Sequence, residues 1–185
     1  MNTDNTGHGS TRMNTDEHGL HGCETAMVYP FGVRALGIDY GTRRIGLALS
    51  DATGLLARPW KTLAVDGGPE RVAAVLAQEA AALVAEPDGL GAIALGYPRR
   101  LNGEPTAQTA AVETVAAALR TAIDIPVVLQ DERLTSVEAE SELARRERDW
   151  RKRKPLLDAR SAAIILQDYL DERARHAERV ESENA

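Results

Sequence analysis

The sequence predicts an α/β fold built on a mixed five-stranded sheet, and three observations carry that expectation. Apolar segments come first as short runs separated by tight-turn residues, then alternate with stretches of helical period. Aromatic residues make up only 4% of a chain that is 43% hydrophobic and rich in alanine, a composition suited to helices packed closely on a sheet. Short turns join antiparallel strands, whereas parallel strands need a longer crossover, usually a helix. Three antiparallel strands followed by strand–helix alternation therefore give one antiparallel and one parallel half-sheet.

Each element follows from local pattern. Leu36 and Ile38 lead to Asp39, Gly41-Thr42 begins a tight turn, and Ile45 to Leu49 returns as a second strand. Asp51-Ala-Thr-Gly54 is the next turn, and Leu55 to Leu63 is a third strand whose Pro59 suits an edge or a bulge. Val72, Val75, Leu76 and Leu83 recur at helical spacing, so residues 69–85 form an amphipathic helix stopped by Pro87 and Gly89. Ala92 to Leu95 is a buried strand ending in Gly96-Tyr97-Pro98, with a loop through the Asn102-Gly103 turn signal. Val112, Val115, Ala116 and Leu119 mark a second helix ended before Pro126, and Val127 to Leu129 is the fifth strand. Thr135 and Glu138 have capping-box spacing for a further helix. Pro155 precedes the last helix, on which Asp158, Ala162, Ile165, Leu166 and Tyr169 share one face.

With 185 residues the chain has room for one domain of ordinary size. Residues 1–32 are polar and without hydrophobic period, and read as a disordered tail; residues 33–172 form the domain; residues 173–185 read as an acidic tail. The single cysteine, Cys23, excludes a disulfide framework, and no apolar run approaches the length of a membrane span. A cytoplasmic protein with no membrane partner is expected. The net charge of −6 sits mostly in the two ends, which leaves residues 33–170 with 18 basic and 19 acidic groups. Residues 145–154 concentrate seven basic residues and Trp150, a pattern that favours phosphate contact over a merely solvated surface.

Three elements each carry an acid that an apolar environment must compensate. Asp39 ends the first strand, Asp131 and Glu132 end the last parallel strand, and Asp158 lies on the apolar face of the final helix. The carboxyl ends of parallel strands are where open α/β sheets place ligands. Each acid alone has a plain structural explanation: a turn acceptor for Asp39, a first-turn acid on the helix dipole for Asp158. Together they suit a hard divalent cation, Mg²⁺ or Mn²⁺, held by carboxylates and substrate phosphate. Two such ions about 3.5–4 Å apart would activate water and stabilise the leaving oxygen, with no protein nucleophile.

Four stretches in order, G-I-D-Y-G-T-R-R-I-G-L-A, the strand-ending G-Y-P, D-E-R-L-T-S from Asp131, and D-A-R-S-A-A-I-I-L-Q-D-Y-L from Asp158, resemble the YqgF/RuvX family over roughly residues 34–172. The resemblance implies a ribonuclease H-like fold. It also implies a nuclease that hydrolyses phosphodiester bonds, processing the 5′ end of pre-16S rRNA in ribosome biogenesis or resolving Holliday junctions in branched DNA. Asp39, Glu132 and Asp158 are the expected catalytic and metal-binding acids, with Asp131 in reserve because the strand phase there reads either way. Thr42, Arg43, Arg44, Arg99, Arg100 and Arg133, with Arg151, Lys152, Arg153 and Lys154, are expected along the nucleic-acid backbone. An rRNA precursor is the favoured partner, branched DNA the alternative, and the protein is expected to act as a monomer or homodimer. Where the family usually has leucine this chain has Tyr97, next to the substrate loop.

Two other functions meet less support. Asp39-Tyr40-Gly41-Thr42 resembles the first phosphate-binding hairpin of actin-like and sugar-kinase ATPases, but those enzymes clamp ATP between two domains and this chain supplies one. No G-x-x-x-x-G-K-[ST] loop occurs. A non-catalytic RNA-binding module on the same fold would not require the acids.

Overall fold

The computed structural model describes residues 32–99, 104–131 and 150–183, the side chains of 150–156 excepted. Among these, eight elements follow one another: β1 (Arg34–Tyr40), β2 (Arg44–Ser50), β3 (Ala57–Ala64), α1 (Pro69–Val84), β4 (Leu90–Tyr97), α2 (Thr109–Ala122), β5 (Val127–Asp131) and α3 (Trp150–Glu183). The sheet order is β3-β2-β1-β4-β5. β1, β2 and β3 pair antiparallel, while β4 lies parallel to β1 and β5 parallel to β4. This is the mixed five-stranded sheet expected from the sequence, three antiparallel strands followed by two parallel ones.

Strand alternation sorts the side chains into two cores. Leu36, Ile38, Ile45, Leu47, Ile93 and Leu95 face α1 and α2, whose Val72, Leu76, Leu83, Val112, Val115 and Leu119 complete the larger core. On the opposite face, Ala35, Ala48, Ala92 and Ala94 meet Ala162, Leu166, Tyr169 and Leu170 of α3. Alanine on this face is a geometric requirement, because small side chains let a helix lie low on the sheet. Pro59 does sit on an edge strand, and the β2–β3 register shifts between Leu47 and Ala48 beside it. A proline there removes a donor where no ladder bond is lost.

α3 differs from its sequence-based outline at both ends. It begins at Trp150, upstream of Pro155, so the proline lies within the helix instead of preceding it. A proline early in a 34-residue helix sacrifices one of many backbone hydrogen bonds, which packing of the following turns offsets. Asp158 is accordingly in the third turn, too far in for the helix dipole to account for it. The acidic segment 173–183 continues the same helix, exposed along most of its length. Gln167 pins α3 to the start of β3: its Oε1 accepts from Ala57 N–H at 2.9 Å and its Nε2 donates to the Leu55 carbonyl at 3.0 Å.

Candidate active site

The site grows out of the β1–β2 hairpin. Gly41 N–H donates to the Arg44 carbonyl at 3.0 Å, closing a two-residue loop whose tip, Thr42 and Arg43, is exposed. A Cβ on Gly41 would lie 2.5 Å from that carbonyl oxygen, so the turn has room only for glycine. The hairpin register sets Asp39 directly opposite Gly46. Both fall on the α3 face, in phase with Ala35 and Ala48.

Glycine at position 46 decides what happens next. A Cβ there would sit 1.8 Å from the Asp158 carbonyl oxygen and 2.9 Å from the Ala159 nitrogen, well inside contact distance. A Cβ at Gly37 would likewise lie 2.6 Å from both the Ala162 carbonyl oxygen and the Leu166 Cβ. α3 thus touches the backbone of β1 and β2 at two points, and the Gly46 contact carries Asp158 to the strand beside Asp39. These glycines are the functional residues that motif reading overlooked. Their signal was present, because an isolated glycine in an apolar strand marks a bulge or a close backbone approach.

Electrostatics at the pair are strained. Burial pushes the Asp39 carboxyl up to about 6, and the neighbouring Asp158 charge pushes it the same way. Among the described residues the Asp39 carboxylate accepts no hydrogen bond. Among the described residues Asp158 has a counter-charge close by, Arg44, whose Nε is 2.9 Å from its Oδ2. That contact is close but poorly directed, so both buried atoms stay without a hydrogen bond. Two acids, one underused oxygen and hard donors only form a set that suits a divalent cation. No group of three acids, histidines or cysteines gathers among the described residues, and the expected third acid, Glu132, lies outside them.

The remaining expected residues divide. Asp131 falls in phase with Val127 and Leu129, which pack toward α1 and α2, so it stands on the face opposite Asp39. Gln130, one residue earlier, faces α3 and reaches Glu172 at 3.5 Å. Arg44 is engaged by Asp158 instead of standing free at the turn. Arg99 stacks on the Tyr97 ring, 4.9 Å from its centroid, and Tyr97 in turn donates its hydroxyl to Glu113 of α2. Both lie on the α2 face, away from the acids. Arg100 and Arg133 lie outside the described residues, as do the side chains of Arg151, Lys152, Arg153 and Lys154.

The profile of the family described as "RuvX: Holliday junction resolvase" matches residues 33–172. A protein of Geobacillus kaustophilus named "Putative pre-16S rRNA nuclease" is 37% identical over 144 residues, covering 75% of this chain and 98% of that protein. Those of the same name from Bacillus subtilis and Chloroflexus aggregans are 35% and 42% identical over 75% of this chain, covering 98% and 93% of their own lengths. Among solved structures, Thermus thermophilus RuvC in complex with a Holliday junction substrate is 16% identical with a TM-score of 0.47, covering 77% of this chain and 96% of that one. With a matched profile spanning the whole described sheet, α1, α2 and α3 as far as residue 172, the chain belongs to the RuvX family.

Proposed function

We propose that this protein is a metal-dependent endonuclease that processes the 5′ end of pre-16S rRNA, as the names of its relatives suggest. The observation that carries the reading is the juxtaposition of Asp39 and Asp158, two carboxylates held together by glycine contacts at a cost that no described hydrogen bond offsets. A buried acid pair with nothing else to do is a functional arrangement before it is a structural one. Asp39 and Asp158 would hold Mg²⁺ or Mn²⁺, and Glu132, which lies outside the described residues, is the third acid expected to join them from the sequence. When bound, the cation supplies an activated water and neutralises charge on the scissile phosphate. Thr42 and Arg43, exposed at the hairpin tip, would hold the nucleic-acid backbone. The basic run 151–154 serves the same backbone further along, and the work is done in the cytoplasm.

Resolution of branched DNA is the second reading, favoured by the description of the matching family. One experiment separates them: turnover of purified protein on single-stranded RNA, an RNA duplex end and a four-way DNA junction, each with Mg²⁺ and with EDTA. Cleavage of RNA alone supports the first reading, and cleavage of the junction alone supports the second. Activity that persists in EDTA would sink the metal assignment. Asp39→Asn should lose at least about 10³-fold in rate while retaining its fold, judged by circular dichroism, because a metal ligand and not a packing group is removed; full cleavage by that variant would remove Asp39 from the chemistry.

A further inference from the structure

We infer that Arg44 is a built-in counter-ion which holds the place of a divalent cation at Asp158 and is displaced from it when the cation binds. The inference rests on the proposed metal site and extends it to the order of events there. Three features point this way. Arg44 Nε is 2.9 Å from Asp158 Oδ2, so the guanidinium occupies one approach to that oxygen and places a positive charge beside any cation that binds it. Neither of these buried atoms gains a hydrogen bond from the contact. An arginine built to orient an acid would donate a well-aimed hydrogen bond, as charge-assisted pairs usually do; this one contributes charge alone, which any cation can replace.

The position of Arg44 in the fold makes displacement feasible. It is the first residue of β2, immediately after the exposed Thr42-Arg43 tip, and its side chain remains 30% exposed. Releasing it therefore moves a side chain at the rim and disturbs neither core. Asp158, by contrast, is fixed by the backbone contact of α3 with Gly46 and cannot follow. Moving the guanidinium off Oδ2 leaves that oxygen's full charge to a metal.

The test is calorimetric titration of Mg²⁺ and Mn²⁺ into full-length wild type, Arg44→Gln and Arg44→Lys. Removing the competing charge should tighten binding about fivefold in Arg44→Gln, the equivalent of one partly exposed ion pair. Arg44→Lys keeps the charge and should stay within about twofold of wild type. Equal or weaker binding in Arg44→Gln, or equal tightening in Arg44→Lys, overturns the inference. A second measurement needs no stable variant: the Arg44 Nε–H resonance of wild type should shift with the same midpoint as the calorimetric titration. If the ion binds and that resonance stays still, Arg44 is not displaced. If wild type binds no divalent ion, the metal site itself fails, which distinguishes the two readings.

Discussion

At the scale of single residues, Asp39 is where function and stability oppose each other. Its folded value of about 6 lies above the ordinary carboxylate range near 4, so the folded state binds more protons than the unfolded chain between those values. Stability should therefore fall as pH rises from about 4 to 6 and stay low above it. A displacement of that size is worth on the order of 3 kcal/mol at pH 7, an amount Asp39→Asn should recover in part. Thermal midpoints from pH 4 to 8 without metal check this. The wild type should lose stability across the window, and the Asn variant should be flatter and melt higher at pH 7. A variant less stable than wild type at neutral pH would show that the carboxylate is satisfied by groups outside the described residues.

Asp51 shows the opposite case. Its carboxylate accepts from the Thr53 hydroxyl and from the Leu55 and Leu56 N–H groups, which hold it below its ordinary value. Acids of this kind contribute stability above their unfolded value and lose it as pH falls. That effect runs against Asp39 and reports on the β2–β3 turn, so Asp51→Asn serves as a control that alters the acid limb alone.

Among elements, the contact between β2 and α3 is the one on which the site depends. Gly46→Ala would drive a methyl group to 1.8 Å from a helix carbonyl, and neither partner can yield without moving backbone. The expected cost is about 3 kcal/mol or more, above the usual range for overpacking. If the protein still folds, α3 will have lifted and cleavage should drop with Asp158 intact; a variant as active and stable as wild type would remove Gly46 from the design. The basic run at the start of α3 makes a separate claim. Replacing Arg151, Lys152, Arg153 and Lys154 by serine should weaken nucleic-acid binding and flatten its salt dependence, by about 0.7–0.9 in the log–log slope per lost phosphate contact. Unchanged affinity and slope would mark the run as solvated surface.

Over the whole molecule, α3 is both the wall of the second core and the carrier of Asp158, one of the proposed metal-binding acids, so the two roles cannot be separated by truncation. Ending the chain before Asp158 removes Ala162, Leu166, Tyr169 and Leu170 from that core and should abolish folding. Ending it after Arg173 is different. Residues 174–183 are mostly exposed, and their removal should change stability by no more than about 0.5 kcal/mol. Removal of residues 1–32 should leave metal-dependent cleavage intact, since β1 begins only at Arg34. Thermal midpoints of the three shortened proteins beside the full chain test all of these; a loss of several degrees on removing 1–32 would show that the segment packs on the domain.

Strand and helix order and the antiparallel-then-parallel sheet were legible in the sequence, because hydrophobic period and turn residues are local properties of the chain; the sequence also offered Asp39 and Asp158 as candidate acids. The four-motif resemblance added the family. Only the tertiary structure decided how the acids meet. Gly46 lies opposite Asp39 through the hairpin register and under Asp158 through helix packing, and neither relation is local. It also decided that Arg44 answers Asp158 and that Asp131 stands on the far face from Asp39. A motif reports which charges are present; which of them share a face, and which cation reaches which oxygen, follows from pairing and packing across more than a hundred residues of chain.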